Sequence, residues 1–243
     1  MRVAVLSDIH GNRHALEAVL GAVAASDVSD LWCLGDVVGY GADPEACVTL
    51  VREHAALCLA GNHDLAVTGE LSLEDFSKNA GIAARWTQTA LGDDDRAFLD
   101  GLATHGQAGE IGLYHASPRD PIWEYVISAL LAELCFDAQE QRIGLIGHSH
   151  VALSFARPEG EPAAGEKRLA GDVMDLAAGE WLLNPGSVGQ PRDGDPRAAW
   201  LLLDTERQQA QWRRTEYDIK GAGAAIRTAG LPVLLAERLE FGQ

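Results

Sequence analysis

Residues 1–40 read MRVAVLSDIHGNRHALEAVLGAVAASDVSDLWCLGDVVGY, and the fold class is decided in this stretch. Val3, Ala4, Val5 and Leu6 form a short apolar run that stops at Ser7 and Asp8, as a buried strand stops at a turn. Ala15, Leu16, Val19, Leu20 and Val23 then recur at helical spacing, which gives one helix face to a core. Residues 31–34 are a second apolar run, closed by Gly35 and Asp36. Outward from there, Pro44 opens a segment in which Cys47, Leu50 and Val51 repeat the helical spacing, and residues 56–60 supply a third strand. A β-α-β-α-β alternation calls for a mostly parallel sheet with right-handed crossovers. Its functional loops belong at the C-terminal ends of the strands.

Two more buried strands are predicted at residues 111–114 and 143–146, and helices at 74–91, despite Gly81, and at 122–136. Beyond Val151 the pattern changes to short strands separated by turn clusters. Residues 198–203 and 211–214 read as an antiparallel hairpin around 205–209. No linker rich in Pro, Gly or Ser divides the chain, and it shows no internal repeats, so one domain spanning residues 1–243 is expected.

Composition narrows the function. The 243 residues are 47% hydrophobic, ample for a packed core. Nineteen Lys and Arg against 36 Asp and Glu leave a formal charge of −17, which repels nucleic-acid backbones and anionic membrane surfaces. No apolar run approaches the roughly 20 residues that span a bilayer, and the first strand meets Ser7 and Asp8 too soon for a signal-peptide core. A cytoplasmic protein without a membrane or nucleic-acid-polymer partner is therefore expected. Cys33, Cys47, Cys58 and Cys135 form no CxxC pair and read as buried reduced thiols.

Every strand of the parallel part ends in side chains that can hold a metal. The turns are Ser7-Asp8-Ile9-His10-Gly11-Asn12, Gly35-Asp36, Gly61-Asn62-His63-Asp64, His115-Ala116-Ser117 and Gly147-His148-Ser149-His150. Five of the eight histidines fall in them, a concentration foreign to scattered surface histidines. Singly, an Asp-x-His or Gly-Asp turn is an ordinary capping or turn feature. In this order and together they point to a metal site.

The five turns resemble the calcineurin-like metallophosphoesterase superfamily, whose blocks run D-x-H, G-D, G-N-H-D/E, H and G-H-x-H. The departure is His115-Ala116, where the family has His-Gly; His105 is the competing candidate for that block. The resemblance implies a four-layer α-β-β-α sandwich of two mixed β-sheets flanked by helices. It also implies a dinuclear centre in which Asp8, His10, Asp36 and His150 hold one divalent cation and Asp36, Asn62, His115 and His148 the other. Asp36 bridges, since one carboxylate offers two acceptor oxygens. Imidazole and carboxylate without thiolate suit Mn first, with Fe, Zn, Ni or Co as alternatives. His63 is implied as the leaving-group acid, with Asp64 orienting it, and Asn62 and His63 as contacts of the substrate.

The turn at 184–193, Asn-Pro-Gly-Ser-Val-Gly-Gln-Pro-Arg-Asp, resembles one that borders the active site in small prokaryotic members. Arg192 is thus a candidate phosphate contact, against a plain surface loop. Arg13 and Arg119 divide evenly between cleft and surface, Tyr40 could reach the cleft, and Trp123, Trp181, Trp200 and Trp212 read as packing residues. The expected activity is hydrolysis of a small phosphorylated substrate by metal-activated hydroxide, first a nucleotide-like phosphodiester. A phosphoprotein or dinucleoside-polyphosphate phosphatase and a non-catalytic binding module are the alternatives, and a homo-oligomer is left open.

Overall fold

The computed structural model describes residues 1–243. In its first half, β1 (Arg2–Leu6), α1 (Arg13–Ala24), β2 (Asp30–Cys33), α2 (Pro44–His54) and β3 (Leu57–Cys58) follow the expected alternation. Three helices come next, α3 (Asn62–Thr68), α4 (Lys78–Ala90) and α5 (Asp93–Asp100), then β4 (His105–Ala108), β5 (Ile111–Tyr114), α6 (Ala129–Ala138) and β6 (Ile143–Leu145). The remainder comprises β7 (Ala152–Arg157), β8 (Ala164–Lys167), β9 (Val173–Asp175), β10 (Glu180–Pro185), β11 (Ala198–Asp204), β12 (Gln209–Thr215), α7 (Ile219–Thr228) and α8 (Val233–Glu237). A 3-10 turn at Arg238–Glu240 follows.

The strands make two six-stranded mixed sheets, ordered β3-β2-β1-β11-β12-β9 and β4-β5-β6-β10-β7-β8. In the first, β1, β2 and β3 run parallel; in the second, β5, β6 and β10 do. The hairpin β11–β12 closes with Asp204 opposite Gln209.

Period-two alternation sorts the side chains into layers. From β1, Val3 and Val5 enter the core between the sheets, while Ala4 and Leu6 face α1 and α2. Strand β2 and the residue after it do the same, with Trp32 and Leu34 inward and Leu31 and Cys33 outward. Leu113, Leu145 and Leu183 of the second sheet meet the inward set, and α6 covers that sheet's outer face through Cys135 and Phe136. The result is a four-layer α-β-β-α sandwich. None of the four cysteines is bridged.

Two predicted helices are shorter than their apolar spacing suggested. Residues 122–128 are not helical because the Asp120 side chain accepts from the backbone N–H of Ile122 and Trp123 and turns the chain. Ser128 then caps α6, accepting from Leu131 N, so the helix starts at Ala129. The segment 74–91 is broken at Phe76 and Ser77, both extended, between a 3-10 turn at Leu73–Asp75 and α4. Only two residues of the predicted strand 56–60 join the ladder, with Leu59 adding one bridge to Ala103.

Leu113 is fully buried in the inter-sheet layer. Leu113→Ala is expected to lower the unfolding free energy by about 2–5 kcal/mol in a urea titration with the slope unchanged. A loss too small to measure would mean that this layer is loosely packed.

Candidate metal centre

The turns after β1, β2, β5 and β6 and the start of α3 meet at one edge of the sandwich. The backbone there is strained. Seven non-glycine residues adopt left-handed φ, and six of them are Asp8, His10, Asp36, Tyr40, His148 and His150. Each such residue costs of order 1 kcal/mol, and clustering of this kind marks functional turns.

Hydrogen bonds within the protein aim the donors. His10 Nδ1 lies 3.1 Å from the Val38 carbonyl and His150 Nδ1 2.7 Å from the Gln190 carbonyl. A carbonyl only accepts, so both Nδ1 atoms carry the proton and both neutral rings turn an Nε2 lone pair inward. Burial first, then neighbouring positive groups, depress the pKa values of both rings, which keeps them neutral. His115 Nδ1 donates to the Leu34 carbonyl at 3.0 Å in the same fashion. Asp8 spends Oδ2 on the backbone N–H of His148 at 3.1 Å, and Asp36 spends Oδ1 on that of His63 at 2.8 Å.

What remains converges. His10 Nε2 and His150 Nε2 face each other at 3.1 Å, lone pair against lone pair. Asp36 Oδ2 lies 3.5 Å from Nε2 of both His10 and His115, and Asp8 Oδ1 3.3 Å from His150 Nε2. Asp8 Oδ1, Asp36 Oδ2 and His148 Nε2 are buried with no hydrogen-bond partner. One donor atom each from Asp8, His10, Asp36 and His150 lie within 4.8 Å of one another, and so do those of Asp36, His115 and His148. Asn62 Oδ1 adjoins the second set, 3.2 Å from His115 Nε2. Inward acceptors without donors are what a cation satisfies, and Asp36 belongs to both sets. The residues fit two divalent ions sharing one carboxylate.

The candidate residues beside these sets are placed differently from one another. His63 lines the cleft, its Nδ1 unpartnered, and burial followed by the charge of Arg192 pushes its pKa down to about 3. Asp64 does not reach it. Its carboxylate instead accepts from the backbone N–H of Val37, Val38 and Gly61, stitching the turn after β2 to the start of α3. The expected Asp64 to His63 link is therefore corrected: Asp64 positions backbone. A Cβ on Gly61 would collide with the Asp36 carboxylate, so that crossing needs glycine.

Arg192 lines the cleft beside His63, His148 and His150, its Nη2 donating to Gln190 Oε1 and its guanidinium 5.6 Å from the Tyr40 ring. The turn leading to it braces the site, since Ser187 Oγ donates to the Asp8 carbonyl and Asn184 Nδ2 to the Gly147 carbonyl. Arg13 and Arg119 do not line the cleft; they pair with Glu17 and Glu124. His105 is exposed on β4 and bonds Thr104, away from the cluster.

Trp123, read from the sequence as a packing residue, is a wall of the cleft, because the segment before α6 leaves the helix. It meets Phe76 edge-on at 5.2 Å, Phe76 meets His63 at 5.0 Å, and Tyr125 stacks on His148 at 4.1 Å. Trp181, Trp200 and Trp212 are buried. Phe76, Tyr125 and Arg238 also line the cleft, about 410 Å³ in volume, and only the broken helices bring the two aromatic residues there.

A model of the calcineurin-like phosphoesterase superfamily domain matches residues 1–208. The chain belongs to this superfamily. Among solved structures it is similar to a metallophosphoesterase from Sphaerobacter thermophilus, 41% identical, TM-score 0.91, with both chains covered in full. It also shares its fold with a hypothetical protein from Pyrococcus horikoshii at 18% identity and TM-score 0.81, covering 100% of this chain and 98% of that one. An uncharacterized protein of Methanocaldococcus jannaschii is 37% identical over 99% of this chain and 98% of its own length. As a calcineurin-like phosphoesterase, the chain carries a cluster of buried Asp and His residues able to bind metal.

Cation loading should be linked to protons. Burial, opposed by His115 and reinforced by Asp36, raises the Asp8 carboxyl to about 7, so below that pH a cation has to displace its proton. Titrating the metal-free protein with Mn in buffers of different ionisation enthalpy should show about one more proton released at pH 6 than at pH 8.5, and weaker binding at the lower pH. Equal release at both values would mean that the Asp8 carboxyl is already ionised at pH 6 in the metal-free protein.

Proposed function

We propose that the chain is a dinuclear metal-dependent phosphoesterase, acting first on a small, nucleotide-like phosphodiester, with residues 1–243 working as one domain. The observation that carries this reading is the meeting of two acceptor-only donor sets at Asp36 Oδ2, on the floor of a cleft that also holds Arg192. Asp8, His10, Asp36 and His150 hold one cation, and Asp36, Asn62, His115 and His148 the other. Two divalent ions there offset phosphoryl charge and acidify an attacking water. The donor set, nitrogen and oxygen without thiolate, favours Mn, with Fe, Zn, Ni or Co as substitutes. Unbridged cysteines accord with a reducing, cytoplasmic setting.

The residues around the cluster divide the remaining work. Arg192 receives a non-bridging phosphoryl oxygen; its partner Gln190 is neutral, so its charge is free for an anion. His63, on the cleft side of Asn62, gives the leaving oxygen its proton. Burial and then the positive field of Arg192 disfavour the protonated ring, and the approaching phosphate counters the second of these. Asp64 acts at one remove, through the backbone of Val37, Val38 and Gly61. Phe76 and Trp123 form an apolar aromatic wall for the organic part of the ester, which supports a nucleotide-like group over a bare phosphopeptide side chain.

The test is hydrolysis of bis-p-nitrophenyl phosphate with Mn added or chelated away. Turnover is expected only with Mn, and Asp36→Asn should abolish it together with stoichiometric metal binding. His63→Asn should keep two bound ions and, on an alkyl phosphodiester with a poor leaving group, lose about 10²–10⁴-fold in kcat. Two bound ions without turnover of diester, monoester or phosphopeptide would instead establish a binding module.

A further inference from the structure

One cation of the cleft has no part in the mechanism above. Arg238 sits on the 3-10 turn after α8, in the segment beyond the residues that match the superfamily model. That segment is seated firmly. Leu231, Leu235, Ala236 and Leu239 are buried with Ala83 of α4, and Tyr40 packs against the same cluster. The position of Arg238 beside Tyr40 and Arg192 is thus a consequence of apolar docking.

No Asp or Glu side chain lies within salt-bridge distance of Arg192 or Arg238, whereas Arg119, Arg157 and Arg197 each pair with at least one. Arg192 bonds the neutral Gln190 side chain and leaves Nε buried without a partner, while Arg238 Nε donates to the main-chain oxygen of Gln243. Besides Asp36, the one acidic residue lining the cleft is Asp75, exposed at its rim and unpaired with either. Burial and then the charge of Arg192 disfavour the charged form of Arg238, so the two guanidinium groups repel each other. The charge of Arg192 is felt at Asp8, Asp36, the cluster histidines and Arg238, so of the two arginines Arg192 is the one beside the cation cluster. A like-charged pair facing an open cleft is costly unless an anion lies between or beside them.

We infer that Arg238 is a specificity-determining residue that, with Arg192, holds a second, non-reacting anionic group, so that the preferred substrate is a small phosphate ester bearing a further phosphate. The inference rests on the reading of the site as a phosphoesterase centre and names its substrate class. Arg192 faces the reacting phosphoryl group at the cation cluster, and Arg238 reaches the phosphate beyond it. Bidentate capacity and a fixed charge suit both to phosphate oxygens.

The test is calorimetric titration of the Mn-loaded protein with thymidine 3′,5′-bisphosphate and thymidine 5′-monophosphate. The wild type should bind the bisphosphate about tenfold more tightly. Arg238→Gln should bring the two within about twofold, and Arg238→Lys should keep part of the preference, with thermal melts confirming that both variants fold. No preference in the wild type, or a preference that survives Arg238→Gln, overturns the inference. The p-nitrophenyl diester assay run alongside separates the two readings. Turnover without preference sinks the arginine pair alone. Preference that depends on Arg238 without turnover sinks the hydrolase and leaves the anion site.

Discussion

Three backbone carbonyls, those of Leu34, Val38 and Gln190, each take the Nδ1–H of a histidine, and the rest of the site follows from that choice. A neutral imidazole has one proton to place. Once a carbonyl holds it, the other nitrogen is a lone pair whose direction is set by the strand that carries the carbonyl. The carboxylates obey the same logic, since His148 N–H occupies one oxygen of Asp8 and His63 N–H one oxygen of Asp36. The ring hydrogens of His10, His115 and His150 are used on the outside of the cluster, and their free nitrogens, with one oxygen each of Asp8 and Asp36, face in. Such a centre repels itself until a cation arrives, and the fold must hold it open against that repulsion.

It is held by strain and by bracing. Left-handed backbone at Asp8, His10, Asp36, His148 and His150 turns side chains inward that a relaxed loop would point to solvent. The parallel strands end under these residues, so the turns cannot unwind without disturbing the ladder. The turn at 184–190 locks them from below, with Ser187 and Asn184 bonded to the carbonyls of Asp8 and Gly147. Asp64, buried and bonded to three backbone N–H groups, is the corresponding lock between the turn after β2 and the start of α3. A negative charge there supports the geometry of Asp36 and Asn62 without touching a reacting atom.

The parallel half and the cluster were legible because they use short-range signals. Apolar runs closed by Gly and Asp, and histidines crowded into five turns, are visible in one dimension. The cleft walls were not. Phe76 and Trp123 lie in segments whose apolar spacing imitates helix, and what breaks the second is an Asp120 side chain competing for backbone N–H groups. Trp123 therefore looked like a packing residue and became a wall. Arg238 carried no local signal, because only the docking of α7 and α8 against Ala83 and Tyr40 brings it to the cleft. The link from Asp64 to His63 was implied by the family resemblance, and the Asp64 carboxylate instead accepts from the backbone of Val37, Val38 and Gly61.

A phosphoesterase of charge −17 has to separate its local field from its global one. Most of its acids lie far from the cleft, and water and salt screen exposed charges beyond about 8–10 Å. Inside the cleft the balance is reversed. Asp8 and Asp36 would be compensated by cations bound between them, His10, His148 and His150 contribute no negative charge, and Arg192 has only a neutral partner. The local field is therefore positive where the phosphoryl group docks, even as the surface as a whole repels polyanions. On the proposed reading, that combination disfavours long nucleic acids, whose many phosphates would meet the acidic exterior, and favours a ligand small enough to present its phosphates to the cleft alone. The acidic surface would then contribute to selectivity, with the size of the favoured ligand set by how far the positive field extends from Arg192 toward the rim.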